Sequence, residues 1–300
     1  MSFSVATYNV LDLFDAPARL TREHLDAKLA HLATVLGRAN ADVVALQEVG
    51  SAEVVRELAA RVPALGYGEP IVGTAEARGI RCALLSRLPV LSSHVHVVES
   101  LPFPVFVAGD PPPFDGRLPL RRGVVSARID AGALGTVDVL VAHFKSSRAL
   151  PLRDASGEIP PVTGREYGEA RLRTLVWRGA EALFVRSLVD DALAESPSRH
   201  LLVAGDLNDH PDSTVVRIVS GGGQDGLLPC ADVIPPAARY SILHRGEPRQ
   251  IDHILATRLL RERLQSAQFL NEGLRDHSAF DEDAAPAADS DHAPLVVSFA

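Results

Sequence analysis

Apolar positions recur along this chain in two rhythms, and the alternation between them outlines the fold. Residues 3–9, Phe-Ser-Val-Ala-Thr-Tyr-Asn, read as a strand; Leu25, Leu29, Leu32, Ala33 and Leu36 then recur at helical spacing, so one face of a helix is core. Residues 42–48, Asp-Val-Val-Ala-Leu-Gln-Glu, form a near-continuous apolar run ending in an acid, the pattern of a strand covered on both faces. A second helix is expected over 51–61, followed by short β-like runs at 80–86, 90–98, 124–129 and 136–144 separated by turn-rich stretches. Consecutive strands without helices between them imply antiparallel pairing. The longest helical signal begins near Arg165, with Leu172, Leu175, Val176, Gly179, Ala180 and Leu183 on one stripe, and it feeds a strand at 201–205. Later strands are expected at 251–256, 267–270 and 294–299. Loops of unusual length remain at 102–119, 146–164 and 276–290, and loops of that size in a compact domain are usually functional rims or lids.

Composition narrows the class. With 300 residues, 46% apolar and 23% charged, the chain can bury a full core, so disorder as its main state is excluded and one domain over residues 1–300 is expected. Apolar runs such as 43–46 and 201–204 stay far below the ~18 residues of a membrane span. The opening Met1-Ser2-Phe3-Ser4-Val5-Ala6 has no basic start, so no secretory signal and a cytoplasmic location are expected. Cys82 and Cys230 stand in contexts with neither metal spacing nor a disulfide framework and read as core or loop thiols. Of the net charge of −8, six units come from residues 271–300, leaving a body close to neutral whose positive charge is arginine except for Lys28 and Lys145.

Five polar clusters interrupt the scaffold at or just past strand ends: Tyr8-Asn9, Gln47-Glu48, His143-Phe144-Lys145-Ser146, Gly205-Asp206-Leu207-Asn208-Asp209 and Ser290-Asp291-His292. A sixth, Gln250-Ile251-Asp252-His253, opens a late strand. Taken singly each has an ordinary explanation, a turn at Asn9, a helix cap at Glu48, an Asx turn at Asp206 and Asn208. As a set, the oxygen donors Asn9, Glu48, Asp206, Asn208 and Asp291 with two histidines suit Mg²⁺ or Mn²⁺ and phosphoryl chemistry, whereas zinc prefers more His and Cys. No glycine-rich loop leads into Lys-Ser/Thr, and no serine sits in a Gly-x-Ser-x-Gly elbow.

At these residues the chain resembles the endonuclease/exonuclease/phosphatase superfamily, the group of deoxyribonuclease I, AP endonucleases, inositol-polyphosphate 5-phosphatases and neutral sphingomyelinases. The resemblance runs from Thr7 to Val297, and Ala83-Leu84-Leu85-Ser86-Arg87 is similar to the family's central strand. It implies a four-layer α/β/β/α sandwich, two mostly antiparallel sheets flanked by helices, and a divalent-metal-dependent hydrolase using one or two Mg²⁺ or Mn²⁺ ions. By that resemblance Glu48 would be the main metal carboxylate, with Asn9 and Asp291 completing the site. Asp206 would orient and deprotonate the attacking water, and Asn208 would hold the water or a phosphate oxygen. His292, oriented by Asp252, and His143 would stabilise the phosphorane or protonate the leaving oxygen.

Two departures matter. Deoxyribonuclease I pairs its equivalent of His143 with a glutamate, and here that position is Ile80, beside Arg81, leaving Glu76 as the alternative partner. AP endonucleases place a tyrosine where His143 stands and an aspartate at the position of Leu11, so abasic-site repair is disfavoured. For the substrate, Lys145, Arg148, Arg153, Arg165, Arg171 and Arg173 form either a solvated face or a track for backbone phosphates, and Arg78, Arg81, Arg121 and Arg122 are either rim clamps or strand-end charges. The His-Phe-Lys-Ser motif before a long arginine-bearing helix is similar to bacterial extracellular-nuclease relatives and favours nucleic acid. Substrate contacts are assigned to Asn9, Arg81, Lys145 and Asn208. Small phosphoesters, phosphoinositides or sphingomyelin-type lipids are the alternative, and a non-catalytic scaffold is a third reading. Trp177 is expected in the core, the 102–119 loop with Phe103 and Phe114 as a packed-down lid, and neither stable membrane association nor a protein partner is implied.

Overall fold

A computed structural model describes residues 2–15, 21–104, 117–154, 156–279 and 287–300. Strand β1 (Phe3–Leu13) leads through α1 (Arg22–Ala39) to β2 (Val43–Val49), and α2 (Ala52–Ala60) follows. Then come β3 (Ile71–Val72), β4 (Arg81–Ser86), β5 (Val90–His96), β6 (Val124–Asp130) and β7 (Thr136–His143). The long helix α3 (Gly164–Glu195) connects to β8 (His200–Asp206), then α4 (Thr214–Ser220), β9 (Leu227–Pro229), β10 (Ile242–His244) and β11 (Glu247–Arg249). Strand β12 (Asp252–Thr257), the short α5 (Arg258–Arg261), β13 (Leu264–Phe269) and β14 (Leu295–Phe299) complete the order.

The strands form two six-stranded sheets, β13-β14-β1-β2-β4-β3 and β5-β6-β7-β8-β12-β9, with β10-β11 as a separate hairpin. Pairing is antiparallel except for β1 with β2 and β7 with β8, the two pairs joined by helical crossovers. Side-chain alternation sorts the layers. Val5, Val43, Ala45, Val139, Val141, Leu202, Ala204, Ile254 and Ala256 meet between the sheets. Ala6, Tyr8, Val44 and Leu46 face outward onto the leucines of α1 and the valines of α2. Leu140, Ala142, Leu201 and Val203 face outward onto α3 and α4. The result is the α/β/β/α sandwich. Caps fit their residues: Thr21, Ser51 and Ser213 each accept a backbone N–H of the first turn at 3.1 to 3.2 Å.

Several expectations need correction. The uninterrupted strands 80–86 and 90–98 do not pair; the chain crosses between them, so β4 belongs to one sheet and β5 to the other. Helix α4 was hidden by its β-branched run Thr214-Val215-Val216, and β3, β9, β10 and β11 are too short to show a period. Most of the expected lid loop, residues 105–116, lies outside the described residues, as do 280–286 of the acidic loop. Its described ends are tied, Leu101 N to Leu118 O at 2.7 Å, and Leu101 and Phe103 pack against the α3 layer. Trp177 packs there too, with the Arg121 guanidinium 4.0 Å from its ring centre. Both cysteines are buried free thiols. Among the described residues no helix is long and apolar enough to cross a membrane.

One glycine controls how closely β7 and β8 approach at the level where the polar residues begin. Gly205 has φ 155°, and a Cβ there would stand 1.8 Å from the carbonyl oxygen of Ala142. Gly205→Ala therefore has to push β8 away from β7 immediately before Asp206. We expect it to lower unfolding free energy by at least about 2 kcal/mol, read by urea denaturation; a change under a few tenths would show that the strands separate freely.

Candidate active site

The same alternation that builds the inner core carries Thr7, Asn9, Gln47, His143, Asp206 and Asp252 onto it at the strand ends, where apolar residues give way to polar ones. Register aligns three of them: His143 of β7 and Asp252 of β12 are the direct neighbours of Asp206 on β8. Asp206 is only 2% exposed. Its Oδ2 accepts from Asn9 Nδ2 at 3.0 Å, a bond from one sheet to the other, and its Oδ1 accepts the Asn208 backbone N–H at 2.9 Å.

Glu48 reaches this group by a backbone irregularity. Alternation would turn it outward between the inner Gln47 and the outer Val49, but the register slips here against both β1 and β4, and Glu48 has φ 65°. A bulge that re-aims one side chain is its physical reading. The facing stretch of β1 bulges as well, with Leu11 at φ 51° and Asp12 at 47°. Glu48 Oε2 accepts the Asp12 N–H at 3.0 Å, and Oε1 accepts from Asn9 Nδ2 at 3.3 Å. Asn9 Oδ1 accepts the Leu11 N–H at 3.0 Å, so Asn9 acts as a clamp donating to two carboxylates and its oxygen is already engaged.

Just before β14 the chain is tied in by Ser290, whose hydroxyl donates to Asn9 O at 2.7 Å and accepts the His292 N–H at 3.0 Å. His292 Nδ1 meets Asp252 Oδ2 at 2.7 Å, and its Nε2 lies 3.9 Å from both Asp206 and Asp291. Burial alone would make this ring neutral, but Asp252 and Asp291 dominate and hold its pKa well above the usual value. His143 has the opposite environment. Burial, then Arg122 and His292, push its pKa well below the usual value, and its Nε2 stands 3.6 Å from Asp206 and 3.9 Å from Glu48. Burial, with Asp252 adding, pushes Asp206 up to about 7, and burial with Asp12 raises Glu48.

These groups open into a cleft of about 570 Å³. Glu48, His143, Asp206, Asn208, Asp291 and His292 line it, and so do the arginines Arg78, Arg122, Arg148, Arg171, Arg178 and Arg249. Asn208, at φ 54°, turns its amide onto Phe144 O at 3.0 Å. Two expected substrate contacts are placed elsewhere. Arg81 donates to the carbonyls of Gly50 and Gly79 and is not part of the cleft lining. Lys145 is buried, its ammonium donating to Ser146 O at 3.1 Å and to Ser146 Oγ at 2.9 Å, so Ser146 and not Lys145 faces the cleft. Of the expected arginine track, Arg148 and Arg171 line the cleft, whereas Arg153 turns to Gly157 O and Arg165 to Glu169. Glu76 is not a partner for His143, because its carboxylate accepts the Arg78 N–H at 3.0 Å.

Residues missed in the sequence include Asp12, which lines the cleft and binds Arg78 at 3.1 Å; it follows Leu11 directly, and only the bulge turns it inward. Arg178 with Asp209 at 3.1 Å, and His244 and Arg249 of the β10-β11 hairpin, were also missed. The hairpin is positioned by Ile242 bridging His292.

The donor chemistry suits a hard divalent cation. Asp206, Asp252 and His292 each offer a ligand atom within 4.8 Å of one another. Within that group His292 is a hydrogen-bonded cation facing Asp252, which makes it a poor ligand. Among the described residues two buried carboxylate oxygens, Asp291 Oδ1 and Asp252 Oδ1, have no hydrogen-bond partner, and Glu48 and Asp206 are raised by burial and by the neighbouring carboxylates Asp12 and Asp252. A cation beside these carboxylates would supply the positive charge that offsets their burial.

Comparison with known proteins agrees with this architecture. A truncated TDP2 from Caenorhabditis elegans superimposes with TM-score 0.59 at 16% identity, covering 99% of this chain and 97% of that one. A 3' phosphatase, NExo, from Neisseria, bound to product DNA hairpin, gives 0.60 at 18% identity with 99% of both chains covered. An AP endonuclease from Archaeoglobus fulgidus gives 0.56 at 17% identity, again with 99% of both covered. No curated protein matches by sequence. The model of the Endonuclease/Exonuclease/phosphatase family matches residues 6–292, from the first sheet's opening strand to the histidine that Asp252 holds, and the chain belongs to that family.

Proposed function

We propose that this protein is a divalent-metal-dependent phosphodiesterase whose substrate is the backbone of DNA or RNA. One observation carries the reading: a buried carboxylate held near neutral pKa, Asp206, faces a cationic histidine, His292, across 3.9 Å at the floor of an arginine-lined cleft. Glu48 and Asp291, with Asn9 steadying Glu48, would hold Mg²⁺ or Mn²⁺, which when bound offsets phosphate charge and lowers the pKa of water. Asp206 takes the proton from the attacking water as its oxygen bonds to phosphorus. The bond to the leaving oxygen breaks, and His292 Nε2 gives that oxygen its proton, with Asp252 holding the imidazolium. Asn208 braces the Asp206 loop, and neutral His143 faces the same phosphate from β7. Arg148, Arg171 and Arg249 extend positive charge beyond the reacting phosphate, as a polyanion requires. The Neisseria relative's DNA hairpin product supports the same substrate class.

Plasmid nicking tests this reading. Supercoiled DNA is expected to be nicked with Mg²⁺ or Mn²⁺ and spared in EDTA. Asp206→Ala and His292→Ala each should lower kcat by about 100- to 10,000-fold with the fold retained. Full activity in either purified variant removes the mechanism. Hydrolysis of a small phosphodiester without nicking moves the substrate to small phosphoesters or lipid head groups.

Cation binding is also expected to couple to pH. Asp206 rises from 3.8 to about 7 on folding without the cation, so that folded state holds the extra proton between those values. Its contribution is therefore present below about pH 4 and lost as pH rises through 7. A cation needs the ionised carboxylates, so the rise in Tm on adding Mg²⁺ should be larger at pH 8 than at pH 6. Equal shifts by differential scanning fluorimetry would show that no raised carboxyl belongs to the cation site.

A further inference from the structure

His143 presents an unexplained buried atom. Its Nδ1 has no hydrogen-bond partner among the described residues, although the ring is only 3% exposed. The carboxylates within reach of its Nε2 belong to the reacting cluster, and Glu76 is occupied with Arg78. With no hydrogen bond to Nδ1 among the described residues, the main chain that carries the ring is what fixes its position.

That main chain is gripped from two layers. Arg122, just ahead of β6, donates through Nη1 to His143 O at 3.2 Å and to Phe144 O at 2.9 Å. From α3 on the outside of the sheet, Glu181 Oε2 accepts the Lys145 backbone N–H at 2.7 Å. Asn208 Nδ2 donates to the same Phe144 carbonyl at 3.0 Å, and Phe144 N donates to Asp206 O at 3.0 Å. Both charged side chains are deeply buried, Glu181 at 1% and Arg122 at 7% exposure, and each keeps one buried atom, Oε1 and Nε, without a partner among the described residues. Burying charges this incompletely satisfied carries a desolvation cost that opposes folding. Stability alone therefore does not account for them, whereas the rigid placement of residues 143–145 does.

We propose that Glu181 and Arg122 form a main-chain brace that positions His143 against the reacting phosphate, in place of a side-chain acid partner, which His143 does not have among the described residues. The proposal rests on the phosphodiesterase reading for the task of His143, but not for its geometry. Glu181 does not line the cleft and cannot touch substrate, which makes it a positioning residue. Arg122 does line the cleft, so Glu181 is the cleaner probe.

The test compares Glu181→Gln, which keeps an oxygen to accept the Lys145 N–H, with Glu181→Leu, which does not. Glu181→Leu should lower kcat by about 10- to 100-fold with KM within about threefold, the effect of misplacing a reacting group by a fraction of an ångström to an ångström. Glu181→Gln should restore kcat to within about threefold. In a His143→Ala background Glu181→Leu should cost nothing further, because the two changes remove one function. A separate readout needs no activity: the His143 ring Cε1–H resonance should be single and sharp in wild type and Glu181→Gln, and broadened or doubled in Glu181→Leu. Should Glu181→Leu not fold, Arg122→Lys, whose single ammonium cannot reproduce the guanidinium's grip, is read by the same resonance.

The brace is overturned if the resonance is unchanged in the folded variant, or if Glu181→Leu costs as much without His143 as with it. Failure of the functional reading looks different: the wild type would hydrolyse no phosphodiester while the resonance still responded to Glu181.

Discussion

A carboxylate taken out of water has to be answered by its surroundings, and at Asp206 almost every nearby feature of the molecule is part of the answer. Asn9 reaches it from the opposite sheet, the Asn208 N–H from the turn that follows, and the His292 cation, itself held by Asp252, from the C-terminal segment. Ser290 couples these, because one hydroxyl ties the carrier of His292 to the backbone of Asn9. The two sheets thus meet at their inner ends through a polar network, where along the rest of their faces they meet through valine, alanine and leucine. Loosening any member leaves a buried group unanswered, so the cleft floor is rigid for the same reason that it is reactive.

Backbone irregularity is concentrated at this floor. Among the described residues Leu11, Asp12, Glu48 and Asn208 account for four of the six non-glycine residues with positive φ, and Gly205 allows the close passage of β8 past Ala142. Regular strands would send Glu48 outward and Asp12 away from the cleft. The bulges turn them toward Asn9 and Arg78, at a conformational cost of the kind that persists only when neighbouring contacts over-determine it. Here those contacts are the backbone N–H of Asp12 on Glu48 and the amide of Asn9 on both carboxylates.

This explains which parts of the site were legible in the sequence. Strand ends were legible, because a run such as Leu-Leu-Val-Ala followed by Gly-Asp shows where a buried strand meets polar surroundings; His143, Asp206 and Asp252 lie in neighbouring registers as a result. The sandwich was legible through its two rhythms. Side-chain direction at irregular backbone was not. Asp12 follows Leu11 in the chain, yet only a positive φ turns it inward. Lys145 and Arg81 carry the right charge at the right place in the chain, and no periodicity could show that one is spent on Ser146 and the other on the carbonyls of Gly50 and Gly79. The β10-β11 hairpin, with His244 and Arg249, is too short to declare itself.

The two histidines show why composition was a poor guide to this cleft. The net charge is −8, yet part of the acidic excess is neutralised locally: Asp289 is paired with Arg275 and His277 and pulled well below the usual carboxyl range, to about 2. What acts at the phosphate is the field within a few ångströms. Burial, with Arg122, Arg78 and Lys145 nearby, holds the His143 pKa well below the usual value; His292 is buried too, but Asp252, Asp291 and Asp206 hold its pKa well above it. Identical side chains at opposite edges of one carboxylate are thereby pushed in opposite directions. In the proposed chemistry this asymmetry decides direction. In that proposal Asp206 takes a proton from water and His292 gives one to the leaving oxygen, and the 3.9 Å between the two groups would let Asp206 return its proton to His292 after turnover.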